Sequence, residues 1–107
     1  MVVELKNVAE FDSLVIQGSA DNQLVVVDFS AEWCPPCKMI APKYEALSKK
    51  ETSVKFYKVD VDVADDVSQK AGISCMPTFK FYKNGECVET LEGASEDKLK
   101  ALVAKHK

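Results

Sequence analysis

The sequence predicts an α/β protein in which a mixed central β-sheet is flanked by helices on both faces. Two observations lead to this fold class. Apolar β-branched runs alternate with helical patterns along the first two thirds of the chain, and a hairpin followed by one more helix completes the order β-α-β-α-β-α-β-β-α. The length of 107 residues suits a single domain over residues 1–107, and the apolar (47 %) and charged (29 %) fractions are ordinary for a globular protein.

Short signals near the N-terminus define the first strand and the first helix. Residues 2–5 predict a strand. Asn7 and Glu10 have the spacing of a capping box, which indicates that a helix begins here. Apolar residues then recur at helical spacing, and Gly18 lies where this helix is expected to end.

The next strand and helix are the longest predicted elements of the first half. Residues 24–29 are continuously apolar and β-branched apart from Asp28, which is typical of a parallel strand covered on both faces. A helical pattern then extends from Cys34 to Lys49, and we expect Pro42 to kink this helix.

The second half of the chain completes the sheet and its helical cover. The predicted elements are a strand over 54–61, a helix over 65–71, strands over 78–82 and 87–91, and a helix that begins at Ser95. Asn84-Gly85 lies between the last two strands and is a strong hairpin signal. The last helix has acidic residues in its first turn and lysines in its last, which matches the helix dipole.

Charge and hydropathy exclude several classes of partner. The net charge of −3, with basic residues scattered along the chain, argues against a nucleic-acid partner. The longest apolar run, 24–27, is far shorter than the ~20 residues of a membrane span, and the N-terminal segment lacks a signal-peptide pattern. We therefore expect a cytoplasmic protein without membrane association, whose four cysteines are reduced at rest.

A pair of cysteines lies between a predicted strand and a predicted helix. Cys34-Pro35-Pro36-Cys37 is a Cys-x-x-Cys motif, which in this setting indicates thiol redox chemistry. At the N-cap, the Cys34 sulfur would face the positive end of the helix dipole, which favours the nucleophilic thiolate. Pro35 and Pro36 suit the first turn but have no N–H, so the Cys37 amide remains as the main donor to this sulfur. Cys37, expected to be less exposed, is placed to attack a mixed disulfide formed at Cys34.

A zinc or iron–sulfur site is the alternative use of these cysteines. Such a site needs further ligands close to the first pair. Cys75 and Cys87 are far apart in the sequence, and the single histidine, His106, lies near the C-terminal end. We therefore expect no metal.

Several segments of the chain resemble the thioredoxin family, in the small cytosolic form found in eukaryotes. They occur in the order of the family and extend over essentially the whole chain: Val25 to Cys34, Cys37 to Pro42, Cys75 to Phe79, and Lys83 to Gly85. The resemblance implies a thioredoxin fold and a protein-disulfide reductase that uses Cys34 and Cys37, with no bound cofactor. A redox-switched docking or regulatory module on the same fold is the alternative function, and an oxidase or isomerase would differ in redox potential.

The residues between the two cysteines depart from the family pattern. Thioredoxins usually contain Trp-Cys-Gly-Pro-Cys, whereas Pro35 replaces the glycine here. Cys-Pro-Pro-Cys is similar to the motif of tryparedoxins and of membrane-tethered periplasmic thiol reductases. The resemblance implies that Pro35 and Pro36 tune the redox potential, in a direction that stays open.

The resemblance also assigns roles to Asp28 and Lys58. Burial within the apolar run should raise the pKa of Asp28. In the family, an acid at this position accepts the proton of the second cysteine (here Cys37) through a water, and a lysine at the position of Lys58 lies near the acid. The alternatives are a solvent-exposed acid at a strand end and an ordinary solvated lysine.

Five residues are implied as the substrate-binding rim: Trp33, Cys75, Met76, Pro77 and Gly93. In the family the peptide bond corresponding to Met76–Pro77 is cis, and its backbone pairs with the substrate like an added strand. The alternatives are a core tryptophan at Trp33 and an inert small residue at Cys75. Cys87 is predicted to be structural.

The expected partners also follow from the resemblance. They are thioredoxin reductase and disulfide-containing protein substrates such as peroxiredoxin or ribonucleotide reductase. We expect a monomer, and a dimer through Cys75 is left open.

Overall fold

A five-stranded mixed sheet forms the centre of the computed structural model, which describes residues 1–107. The strands are β1 (Val2–Glu4), β2 (Val25–Ser30), β3 (Lys55–Asp60), β4 (Thr78–Lys83) and β5 (Glu86–Glu92). The helices are α1 (Val8–Phe11), α2 (Pro35–Lys50), α3 (Asp65–Ala71) and α4 (Glu96–His106). The strand order is β1-β3-β2-β4-β5; β1, β3 and β2 run parallel, and β4 is antiparallel to both β2 and β5.

Two apolar cores cover the two faces of the sheet. On one face α2 and α4 pack through Ile40, Tyr44, Leu47, Leu99 and Val103. On the other face the packing residues are Phe11 of α1, Val15 just after it and Val67 of α3. Strand β2 lies between these layers and is buried from Val25 to Phe29, as its apolar sequence predicts. The predicted fold class is confirmed.

The first helix differs from its predicted form. α1 covers only Val8–Phe11, and the chain continues as a π-helix over Asp12–Gln17. Asn7 accepts a hydrogen bond from the Glu10 amide at 2.9 Å and begins the helix as expected. A Cβ atom on Gly18 would lie 2.0 Å from the Leu14 carbonyl oxygen, so only glycine fits where this segment ends.

The hairpin and the last helix follow their sequence signals. Asn84 and Gly85 have φ angles of 55° and 78°, which is the left-handed conformation that a two-residue hairpin turn requires. The Ser95 hydroxyl accepts a hydrogen bond from the Lys98 amide at 3.3 Å and caps α4. None of the helices combines the length and the apolar character needed to span a bilayer.

Candidate active site

The two cysteines of the Cys-x-x-Cys motif lie at the N-terminus of α2. Cys34 is the N-cap residue, and Pro35 and Pro36 begin the helix. The Cys37 amide donates a hydrogen bond to the Cys34 sulfur, with an N to Sγ distance of 3.3 Å. Because neither proline has an N–H, this amide is the first-turn donor that reaches the sulfur. Neither cysteine is in a disulfide, so the structure represents the dithiol form.

Both cysteines are almost fully buried. Cys37 is 4 % exposed and Cys34 is 5 % exposed, so Cys37 is the less exposed of the two, as expected, by a small margin. Ala31 and Met76 pack against the pair. The Cys34 thiol also donates to the Met76 carbonyl oxygen at 3.8 Å.

An acid and a lysine lie side by side next to this pair. Asp28 of β2 and Lys58 of β3 are register partners in the parallel ladder, so their side chains project from the same face. Asp28 is 4 % exposed, and its Oδ1 atom has no hydrogen-bond partner. Burial raises the pKa of Asp28 from 3.8 to about 7, and the charge of Lys58 opposes this rise.

The second cysteine is difficult to ionise without a base. Burial raises the pKa of the Cys37 thiol to about 12; the hydrogen bond with Cys34 and the negative charge of Asp28 contribute smaller increases. Asp28 is the buried carboxyl group close enough to influence this thiol. A thiol with such a pKa and a carboxyl group that titrates near neutral pH form a suitable donor and acceptor pair.

A cavity of about 510 Å³ connects the acid and the second cysteine. Asp28, Lys58, Cys37 and Tyr44 line it. The space is large enough for several water molecules, and Asp28 and Lys58 give it polar partners, so a water can bridge Asp28 and Cys37. The Tyr44 hydroxyl is 2.7 Å from the Tyr57 carbonyl oxygen and donates to the sheet rather than to the cysteines.

Comparisons with known proteins identify the family. The model of the thioredoxin family matches residues 2–105. The chain belongs to the thioredoxin family. It is 53 % identical over 106 residues to "Thioredoxin 1" of Plasmodium falciparum (isolate 3D7), covering 99 % of this chain and 98 % of that protein.

Solved thioredoxin-family structures have the same fold. The crystal structure of Fasciola hepatica thioredoxin aligns with a TM-score of 0.93 at 43 % identity, over 98 % of this chain and 99 % of that one. A chain from a study of thiol resolution in yeast mitochondrial 1-Cys peroxiredoxin via glutathione/thioredoxin systems aligns with a TM-score of 0.88 at 32 % identity, over 97 % of this chain and 94 % of that one. Family and cysteine pair together make this chain a thioredoxin-type dithiol–disulfide oxidoreductase that acts on disulfide-containing proteins.

The rim that the thioredoxin family implies lies partly at the cysteine pair. Trp33 is 63 % exposed, which excludes the alternative of a core tryptophan. The Met76–Pro77 peptide bond is cis, and Met76 contacts Cys34. Gly93, with a φ of 106°, donates its amide proton to the Pro77 carbonyl oxygen at 2.9 Å. These contacts connect three of the five rim residues, Met76, Pro77 and Gly93, to one another or to the pair.

The other two cysteines of the chain are both exposed. Cys75 immediately precedes Met76, and its sulfur is 3.7 Å from the Thr78 hydroxyl. Cys87 lies on the edge strand β5, with its sulfur 3.3 Å from the Glu89 carbonyl oxygen. Cys87 is therefore not part of the buried core, and its predicted structural role stays a prediction.

One contact of the site was not predicted. The Trp33 indole N–H donates to Asp62 Oδ2 at 2.8 Å. Asp62 lies in the turn after β3, far from Trp33 in the sequence, and no local pattern distinguishes it from the other surface acids. Only the parallel pairing of β2 with β3 brings the segments that follow them together.

Proposed function

We propose that this chain reduces protein disulfides with Cys34 as the attacking thiolate, Cys37 as the resolving thiol and Asp28 as the proton acceptor for Cys37. The observation that supports this most directly is the hydrogen bond from the Cys37 amide to the Cys34 sulfur at the N-cap of α2. This contact favours a negative charge on Cys34, and the helix dipole acts in the same direction.

The proposed reaction has two exchange steps. The Cys34 thiolate attacks one sulfur of the substrate disulfide, that S–S bond breaks, and the other substrate sulfur leaves with the electron pair as a thiolate. Asp28 then accepts the Cys37 proton through a water in the cavity. The Cys37 thiolate attacks the Cys34 sulfur and releases the second substrate thiolate. The substrate gains two electrons and takes up two protons, and Cys34 and Cys37 become a disulfide.

The role of Asp28 predicts a slow second step in Asp28→Asn. Because the amide cannot accept the Cys37 proton, we expect release of the substrate from a preformed mixed disulfide to slow by about 10²-fold at pH 8. The wild-type rate should rise with pH through the pKa of Asp28, which is about 7, and this inflection should be absent in the variant. Stopped-flow measurement of a fluorescent substrate would record both. The rate of alkylation of Cys34 in the free reduced protein is the control. An unchanged pH profile of substrate release in Asp28→Asn would contradict the role of Asp28 as proton acceptor.

The proposed setting is a cytoplasmic single-domain thioredoxin of the small eukaryotic type that acts as a monomer and is reduced again by an NADPH-dependent thioredoxin reductase. The substrates we propose include peroxiredoxin and ribonucleotide reductase. One similar solved chain comes from work on a yeast 1-Cys peroxiredoxin, which supports the first of these. Reductase-dependent NADPH consumption in the presence of insulin disulfides tests the cycle, and no consumption would contradict it.

We also propose that Pro35 and Pro36 tune the redox potential of the pair. They occupy the first two helical positions after Cys34, where fixed φ angles and missing amides limit how the motif can rearrange on oxidation. Pro35→Gly should therefore change the equilibrium constant against a glutathione buffer by about tenfold, which corresponds to about 30 mV. An unchanged equilibrium would contradict a role for Pro35, and Pro42→Ala is a control outside the motif.

A further inference from the structure

The indole of Trp33 is anchored by a single polar contact. Trp33 is 63 % exposed, and its ring takes part in none of the aromatic pairs of the structure. Its N–H donates to Asp62 Oδ2 at 2.8 Å, a distance typical of a hydrogen bond to a carboxylate. An exposed aromatic side chain with so little packing would otherwise sample several rotamers.

The acceptor itself is held by a rigid turn. The Asp62 amide donates to Asp60 Oδ1 at 2.9 Å. The amides of Val63 and Ala64 donate to the Asp60 carbonyl oxygen at 3.1 and 2.9 Å. Asp60 is the last residue of β3, so this turn continues directly from the central sheet. The backbone of Asp62 is therefore held next to the end of the sheet, and the indole is anchored by the carboxylate that this backbone carries.

We propose that Asp62 is a positioning residue for protein substrates, because it holds Trp33 in the orientation in which the rim beside Cys34 receives the partner. This inference rests on the proposed function, in which Trp33 belongs to the substrate-binding rim. Binding a partner to a mobile indole requires that side chain to be ordered at that moment, which weakens binding by about two- to tenfold for one large side chain. A small disulfide that reaches the Cys34 sulfur without covering the rim does not need an ordered indole.

Asp62→Ala and Asp62→Asn separate positioning from a general effect on the fold. Asp62→Ala removes the acceptor, so we expect KM for insulin or another protein disulfide to rise by about two- to tenfold, with little change in kcat. Reduction of 5,5′-dithiobis(2-nitrobenzoate) should change by less than twofold. Asp62→Asn retains an oxygen that accepts from the indole, so it should restore most of the KM. Asp97→Ala is the control, because Asp97 is also exposed and makes no side-chain hydrogen bond or ion pair.

Trp33 is the only tryptophan of the chain, so fluorescence reports on this indole alone. Time-resolved anisotropy should show a larger fast component in Asp62→Ala and a parent-like decay in Asp62→Asn and Asp97→Ala. An unchanged KM in Asp62→Ala despite a mobile indole would overturn the inference, as would an equal loss with the small disulfide. Trp33→Ala distinguishes the assignment of Trp33 to the rim from the positioning role of Asp62. If it leaves KM for the protein substrate unchanged, the rim assignment fails and the inference fails with it. If only Trp33→Ala raises KM, the rim assignment stands and the role of Asp62 is refuted.

Discussion

Cys34→Ser should eliminate the reduction of protein disulfides. A serine hydroxyl at the N-cap still accepts the Cys37 amide hydrogen bond, so the helix should remain intact. The hydroxyl is not ionised at neutral pH and cannot form a mixed disulfide. We expect turnover of insulin disulfides to fall to the rate without protein, a loss of at least about 10³-fold. Retention of activity in Cys34→Ser would contradict the proposed mechanism.

Cys37→Ser gives the complementary result. The Cys34 thiolate can still attack, but no resolving thiol is available, so the substrate should accumulate as a stable mixed disulfide with Cys34. Mass spectrometry of the intact adduct and of its peptides checks the site of attachment. Because Cys75 and Cys87 are both exposed, the experiment should be done in a Cys75→Ser, Cys87→Ser background. The same background with Cys37 intact is the control, and its own turnover is measured as the reference. Attachment at another residue, or no adduct, would contradict the assigned order of the two cysteines.

Asp28→Asn should stabilise the reduced protein, by an amount that depends on pH. The folded pKa of Asp28 is about 7 and its ordinary value is 3.8. Below pH 4 the carboxyl group of Asp28 is protonated in both the folded and the unfolded state, so burying it does not lower the free energy of unfolding through its charge. Between pH 4 and 7 only the folded state holds it, so the free energy of unfolding of the wild type falls by about 1.4 kcal/mol per pH unit. Above pH 7 the full penalty is present, about 4 kcal/mol.

Asp28→Asn has no group that titrates at this position. The difference in the free energy of unfolding between the variant and the wild type therefore isolates the contribution of Asp28. We expect the free energy of unfolding of Asp28→Asn to exceed that of the wild type by about 4 kcal/mol at pH 8 and by little at pH 4. Urea unfolding of both proteins at pH 4, 6 and 8 under reducing conditions measures this. Asp21→Asn changes an exposed acid and should give no comparable trend. A difference that is the same at all three pH values would contradict a raised pKa for Asp28.

Periodic apolar patterns and turn residues were sufficient to predict most of the fold. The run around Asp28 predicted a strand buried on both faces, and Asn84-Gly85 predicted the hairpin. The π-helical segment Asp12–Gln17 was not predictable, because apolar residues at this spacing fit an α-helix equally well. Its geometry depends on how the segment packs against the sheet, which local sequence does not specify.

The candidate site was predictable where the chemistry is local. Cys34 and Cys37 share one helical turn, so the N-cap contact follows from the motif itself. The proximity of Lys58 to Asp28 depends on strand register, which local sequence does not specify, and only the resemblance to the family implied it. The near-equal burial of the two sulfurs and the contact between Trp33 and Asp62 arise from segments distant in sequence. Such contacts are products of tertiary packing, so a single sequence contains little signal for them.

The location of the cavity beside Asp28 has a consequence for how the enzyme responds to its surroundings. Its lining includes the exposed residues Lys38, Ala41 and Lys58 but neither Trp33 nor Met76. A docked protein would therefore leave the carboxyl group in exchange with the surrounding medium. Acidification should then slow the release of every client by the same factor, whatever its interface, so that the pH of the medium acts on the whole set of clients alike.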